Sequence, residues 1–148
     1  MKKIVSIPPN YFYLSLIISV LFFYFIPSAN LINFPYNSIG LILVIVGFYL
    51  IIRSWLLFRK HQTPESFADS TRLVIENLYR FSRNPMYLGG VISLLGLAIF
   101  LGNLISLLTP VVFFLVTNFM FIPYEEEKMI KTFGQEYLNY KNKTRRWF

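Results

Sequence analysis

Residues 87–124 read YLGGVISLLGLAIFLGNLISLLTPVVFFLVTNFMFIPY, and this stretch decides the fold. Two apolar runs, 87–101 and 104–124, carry no charged residue, and only Gly102 and Asn103 separate them. A spanning helix needs about 20 mostly apolar residues. Two residues are enough for a tight turn between antiparallel neighbours, so the pair predicts a membrane-embedded helical hairpin. The first arm is short for a bilayer. Pro110 lies inside the second arm and predicts a bend there.

Working outward, two further apolar runs precede the hairpin, at about 11–26 and 38–58. The expected fold class is all-α: a polytopic membrane protein of about four transmembrane helices, one integral membrane domain over residues 1–148. Composition agrees. Of 148 residues, 55% are hydrophobic and only 14% charged, and the mean hydropathy is +0.54. Such a chain is neither disordered nor an ordinary soluble enzyme. It has no cysteine, which excludes disulfides, thiolate metal sites and a cysteine nucleophile. Its lone His61 makes no metal site, and no nucleophile–base–acid series suggests a hydrolase.

The charges orient the expected helices. Lys2 and Lys3 precede the first, and the link from Pro27 to Asn37 has none. Arg53, Arg59, Lys60, Arg72, Arg80 and Arg83 lie near or after the end of the second. Glu65, Asp69 and Glu76 lie in the same loop, the turn at Gly102 has no charge, and every remaining charge follows Pro123. Fourteen Lys and Arg and seven Asp and Glu thus fall on one side of a four-helix arrangement. Basic residues favour the cytoplasmic side. Both termini, the loop 59–86 and the tail 125–148 are therefore expected in the cytoplasm. The Pro8-Pro9 break and the weak cleavage context at Ser28-Ala29 favour a retained first helix over a signal peptide. The net charge of +7 thus reads as membrane orientation, and no nucleic-acid motif accompanies it.

Polar residues gather at the cytoplasmic end of the hairpin. Asn84-Pro85 reads as the N-cap and first position of the third helix. Its free N–H groups, with Arg80 and Arg83, would suit a carboxylate or phosphate. Glu125-Glu126-Glu127 ends the fourth helix. Asn84 stands 19 residues before Asn103 and Glu125 stands 22 after it. Two arms of nearly equal length bring Asn84 and Glu125 to one membrane face. A site preferring anions then lies beside one preferring cations, which fits a zwitterionic ligand. Gly89, Ser93 and Gly96 share one helix face and are expected to pack against the fourth helix. Met129, Ile130, Phe133, Tyr137 and Tyr140 predict an interfacial amphipathic tail helix. Lys141, Lys143, Arg145 and Arg146 would then face headgroups or a ligand.

Three segments in order carry a resemblance: Arg83-Asn84-Pro85-Met86-Tyr87-Leu88-Gly89, then Glu125-Glu126, then Phe133-Gly134-Gln135-Glu136-Tyr137-Leu138-Asn139-Tyr140. Together they resemble the isoprenylcysteine carboxyl methyltransferase family, itself related to the phospholipid methyltransferases of membranes. The resemblance runs from near Asp69 to Arg146. It implies S-adenosyl-L-methionine as cofactor on the cytoplasmic side and methyl transfer to a lipophilic or lipid-linked carboxylate or amine. Carried over, Thr71, Arg72, Leu73 and Val74 match a backbone-contacting cofactor strip, and Tyr79 a cofactor-contacting tyrosine. Arg83, Asn84, Pro85, Met86 and Tyr87 match the motif around the methionine part. Glu125 matches the cofactor-binding acid, with Glu126 beside it. Asn84 replaces a common His, and Phe121 stands where isoprenylcysteine enzymes carry a substrate-side arginine.

Two other readings compete. A nicotinamide-dependent membrane reductase shares a similar Arg-x-Pro-x-Tyr segment but needs a longer chain. A non-enzymatic four-helix adaptor or transporter is the other. Coupled transport is disfavoured because no Asp or Glu lies in the apolar part of any expected helix.

Overall fold

The computed structural model describes residues 8–61 and 72–148. The described residues are helical, with no strand and two isolated bridges, Asn30 to Asn103 and Ser82 to Arg145. Helix α1 spans Pro8–Phe25 and α2 spans Ser38–Lys60. A 3-10 turn at Asn77–Arg80 leads to α3, Pro85–Leu101. One long helix follows from Ile105 to Phe133. It is made of a 3-10 turn, α4 (Leu108–Val116), a π segment (Thr117–Phe121) and α5 (Ile122–Phe133). Helix α6 spans Gln135–Lys143.

Helix α2 and the long helix are long and apolar enough to cross a membrane, whereas α1 and α3 are apolar but shorter. At 1.5 Å per residue the 17 residues of α3 reach roughly 25 Å, less than the hydrocarbon core of about 30 Å.

The hairpin turn forms as its residues dictate. Gly102 closes α3 in the left-handed conformation, φ 72°. Its carbonyl accepts the Leu31 and Ile32 N–H groups at 2.9 and 3.1 Å. Beside it, the buried Asn103 amide donates to Asn30 Oδ1 (2.7 Å) and to the Ile26 carbonyl (3.1 Å). Ser19 and Thr109 hydroxyls, 3.0 Å apart, continue this polar seam between α1 and α4. No charge is needed at this end, because side chains satisfy the backbone groups the turn exposes.

Three expectations are corrected. Gly89, Ser93 and Gly96 pack against α2, not against the fourth helix. A Cβ on Gly89 would lie 2.6 Å from the Gly47 carbonyl oxygen, and one on Gly96 2.6 Å from that of Gly40. Glycines seven apart on each helix let the two backbones touch. Gly90 alone of this group faces Phe113 of α4. Second, Pro110 falls in the first turn of α4, where little helix hydrogen bonding is lost. The irregularity is the π segment, immediately before Pro123. Proline lacks an N–H and clashes with the carbonyl four residues back, and a π turn there accommodates both. Third, the tail is two helices. The long helix runs past the three glutamates to Phe133, and Gly134 (φ 53°) breaks it before α6. Met129, Tyr137 and Tyr140 are buried in one cluster with Leu73, Ile130 and Phe133 at its edge, so the tail's apolar face turns inward.

Candidate functional site

The tail folds over the start of α3 and leaves a narrow, partly open cavity between them. Its walls come from five places in the chain. Leu73 and Val74 enter from the strip before the 3-10 turn, and Tyr79 from that turn. Arg83 and Asn84 come from the start of α3, and Glu125, Glu126 and Met129 from α5. Tyr137 and Tyr140 come from α6.

The start of α3 is held by the C-terminal segment. The Arg83 N–H donates to the Arg145 carbonyl at 3.0 Å. Asn84 occupies the N-cap position without a side-chain cap. Its amide donates instead to the Arg146 carbonyl, 3.0 Å, and its N–H to Ser82 Oγ, 3.1 Å. Trp147 stacks near Phe114 (centroids 4.9 Å) and donates its indole N–H to Asn118 Oδ1 at 3.0 Å. Asn118 lies in the π segment, which thus anchors the end of the chain.

Glu126 is the electrostatic centre. Arg83 Nη2 donates to its Oε1 at 2.8 Å, and Lys141 Nζ and Arg146 Nη2 to its Oε2 at 2.8 and 3.4 Å. The Arg83 and Glu126 side chains are only 9% and 7% exposed, so this pair is buried and must be satisfied. The other Arg83 terminal nitrogen donates to the Lys141 and Thr144 carbonyls at 2.8 and 2.7 Å. Arg83, Lys141 and Arg146 therefore join α3, α5 and the tail. They were expected to serve an incoming anion or the headgroups. Arg80, expected beside Arg83, is exposed and lines no part of the cavity.

Glu125 behaves differently from its neighbour. Its Oε1 accepts the Tyr87 hydroxyl at 2.7 Å. Its Oε2 is buried and has no hydrogen-bond partner, and the same is true of Arg83 Nε. Both residues line the same cavity. One unsatisfied acceptor on a carboxylate and one unsatisfied donor on a guanidinium thus share one wall system. Buried polar groups ordinarily find partners.

The two tail tyrosines close the cavity. Tyr140 donates its hydroxyl to the Tyr79 carbonyl at 2.6 Å. Burial pushes the Tyr137 phenol up to about 12, and burial raises the Tyr140 phenol above the ordinary range too. Both stay neutral and able to donate at physiological pH.

Of the residues expected to bind a cofactor, Leu73, Val74, Tyr79, Arg83, Asn84, Glu125 and Glu126 are gathered around the cavity. Tyr87 joins through Glu125. Pro85 is buried at the helix start, and Met86 packs on the cluster of Leu57, Phe58, Val74 and Tyr79 rather than on the cavity. Arg72 is exposed and Thr71 lies outside the described residues. Met129, Tyr137 and Tyr140 were read as a membrane-facing stripe. Their spacing in the sequence was the signal; Gly134 divides them between α5 and α6, and the two helices bury them together.

These features define a class: an all-helical chain with two helices able to cross a membrane, and a polar, partly unsatisfied cavity just beyond their apolar ends. The family model described as phospholipid methyltransferase matches residues 35–136. The chain belongs to that family, which is one of membrane methyltransferases. An uncharacterised protein of Haemophilus influenzae is 42% identical over 62 residues, covering 42% of this chain and 98% of the relative.

Proposed function

We propose that this protein transfers a methyl group from S-adenosyl-L-methionine to a lipophilic or lipid-linked acceptor, a carboxylate or an amine, at the cytoplasmic membrane face. The observation that carries this reading is a pair of buried, unpartnered atoms, Arg83 Nε and Glu125 Oε2, on two residues that line one cavity. An α-amino acid presents a carboxylate and an ammonium. The guanidinium N–H complements the first and the carboxylate oxygen the second. The residues thus fit the methionine part of the cofactor, and Tyr79, Tyr137 and Tyr140 offer aromatic surface to the rest.

When bound, the cofactor would supply a methyl group on a positively charged sulfur, open to in-line attack. The protein's part is placement, an effect worth about 7–11 kcal/mol in well-oriented reactions. Tyr87 fixes Glu125 through its hydroxyl, and Glu126 fixes Arg83, so both binding atoms are set before any ligand arrives. Buried Tyr87, Phe121 and Ile122 belong to one packed apolar cluster, and Tyr87 joins it to Glu125 through its hydroxyl. That cluster keeps water from the Glu125 side of the cavity. An ionised carboxylate acceptor needs no base, and none is assigned.

The same reading places four helices across the bilayer with both termini cytoplasmic, the chain forming one integral membrane domain and its tail lying at the interface. The uncharged turn at Gly102 and the charged opposite end support this arrangement. Family membership favours methyl transfer over a nicotinamide reductase or a passive adaptor.

Calorimetry on detergent-solubilised protein tests the proposal. S-adenosylmethionine should bind saturably, and 5′-methylthioadenosine, which lacks the amino-acid group, should bind much more weakly. Equal binding of the two, or no binding of either to folded protein, overturns it.

A further inference from the structure

A second cavity, of about 660 Å3 with its open mouth, lies on the other side of α2's cytoplasmic end. It is lined by Arg53, Leu56, Leu57, Lys60, Glu76 and Asn77. Buried Leu57, Phe58, Val74 and Tyr79 form the cluster between it and the first cavity, so the two are separate.

The sequence explains the lining. Arg53, Leu56, Leu57 and Lys60 follow the spacing i, i+3, i+4, i+7 and share one face of α2. Following that face toward the opposite end of the helix, Tyr49, Val46 and Ile42 are all exposed. A continuous apolar stripe therefore leads along a membrane-crossing helix into a cavity rimmed by two cations.

The charges are unevenly used. Glu76 Oε1 accepts Lys60 Nζ at 3.3 Å and lies 2.7 Å from His61 Nε2. Lys60 keeps two further donors. Arg53 is exposed and makes no ion pair or hydrogen bond among the described residues. With two cations against one carboxylate, the lining carries a net charge of +1.

We propose that this cavity is a headgroup site for an anionic glycerophospholipid. The phosphodiester lies between Arg53 and Lys60, and the acyl chains run along Tyr49, Val46 and Ile42. Apolar stripe and cationic rim match the two halves of such a lipid in the order in which a bilayer presents them. Basic pockets on the cytoplasmic side of spanning helices suit such headgroups. The site is independent of the methyl-transfer reading and shares no residue with that cavity.

Native mass spectrometry of the full chain in detergent tests it, with phosphatidylglycerol, phosphatidylcholine and inorganic phosphate as probes. Phosphatidylglycerol should be retained in preference to phosphatidylcholine. Removing one charge in Arg53→Gln should weaken retention about fivefold, and Arg53→Gln with Lys60→Gln about twenty-five-fold. Arg53→Lys should retain the lipid, and so should Arg145→Gln, which removes an exposed arginine elsewhere. Equal retention of the two lipids, or unchanged retention in a folded Arg53→Gln variant, overturns the proposal. So does an equal loss in Arg145→Gln, which would mean general surface charge. Displacement of the lipid by inorganic phosphate alone would assign the rim to a free anion and overturn the lipid site.

Discussion

Glu125→Gln isolates the acceptor half of the cavity. The substitution keeps the side chain's shape and leaves an oxygen to accept the Tyr87 hydroxyl, which lies 2.7 Å from Oε1. What changes is the second atom, buried and unpartnered, which becomes an N–H2 donor. Facing an ammonium, a donor replaces an acceptor and a negative charge is lost. A hydrogen bond to a charged group contributes about 1.5–3 kcal/mol. At 1.4 kcal/mol per factor of ten, S-adenosylmethionine affinity should fall about 10- to 150-fold. The weak binding of 5′-methylthioadenosine should not change, because it has no ammonium. The assay is calorimetric titration of both ligands, with a melting curve in detergent to show that the variant folds. A Kd for S-adenosylmethionine within about twofold of wild type would refute the reasoning. So would an equal loss for both ligands, since that would mean Glu125 shapes the cavity without contacting the amino-acid group.

Tyr87→Phe should weaken S-adenosylmethionine about 5- to 10-fold by leaving Glu125 Oε1 without its donor, at a cost of about 1 kcal/mol; the same titration reads it. Gly47→Leu should separate α2 from α3, because even a Cβ there meets the Ser93 hydroxyl and the Gly89 carbonyl; a loss of about 3 kcal/mol or more is expected in thermal melts. Gly134→Ala is the contrasting case: nothing lies within 4 Å, so only the backbone conformation, φ 53° and ψ −124°, is strained, at about 1–3 kcal/mol in the same melts. Tyr137 ionises in the unfolded chain near 10.0 but in the fold only at about 12. Its contribution is therefore complete below pH 10 and lost as pH rises toward the folded value, so the melting temperature should fall through that window. Tyr137→Phe should blunt the fall.

Much of this protein was legible from residue order. The unbroken apolar runs and the Gly102-Asn103 turn specified two antiparallel helices, because lipid leaves the backbone no other way to satisfy its own hydrogen bonds. Arm lengths alone brought Asn84 and Glu125 to the same end. The absence of charge from the apolar runs themselves follows from the cost of charge in hydrocarbon. Partners were another matter. The small face of α3 could be recognised in sequence, but whether it met α2 or α4 depended on matching glycines at Gly40 and Gly47, far away in the chain. Glu125 and Glu126 are adjacent and chemically identical. Only packing made one the buried counter-ion of three cations and left the other with an open oxygen, because successive helix positions point about 100° apart. The tail's amphipathic stripe was visible as well. Its direction was fixed only when Gly134 turned α6 back, giving Met129, Tyr137 and Tyr140 an apolar neighbour in Leu73. Sequence determined which segments are helical and which end is polar, since those follow from local hydropathy. Tertiary structure decided which polar atoms are satisfied and which are left for a ligand, since that depends on contacts between residues far apart in the chain.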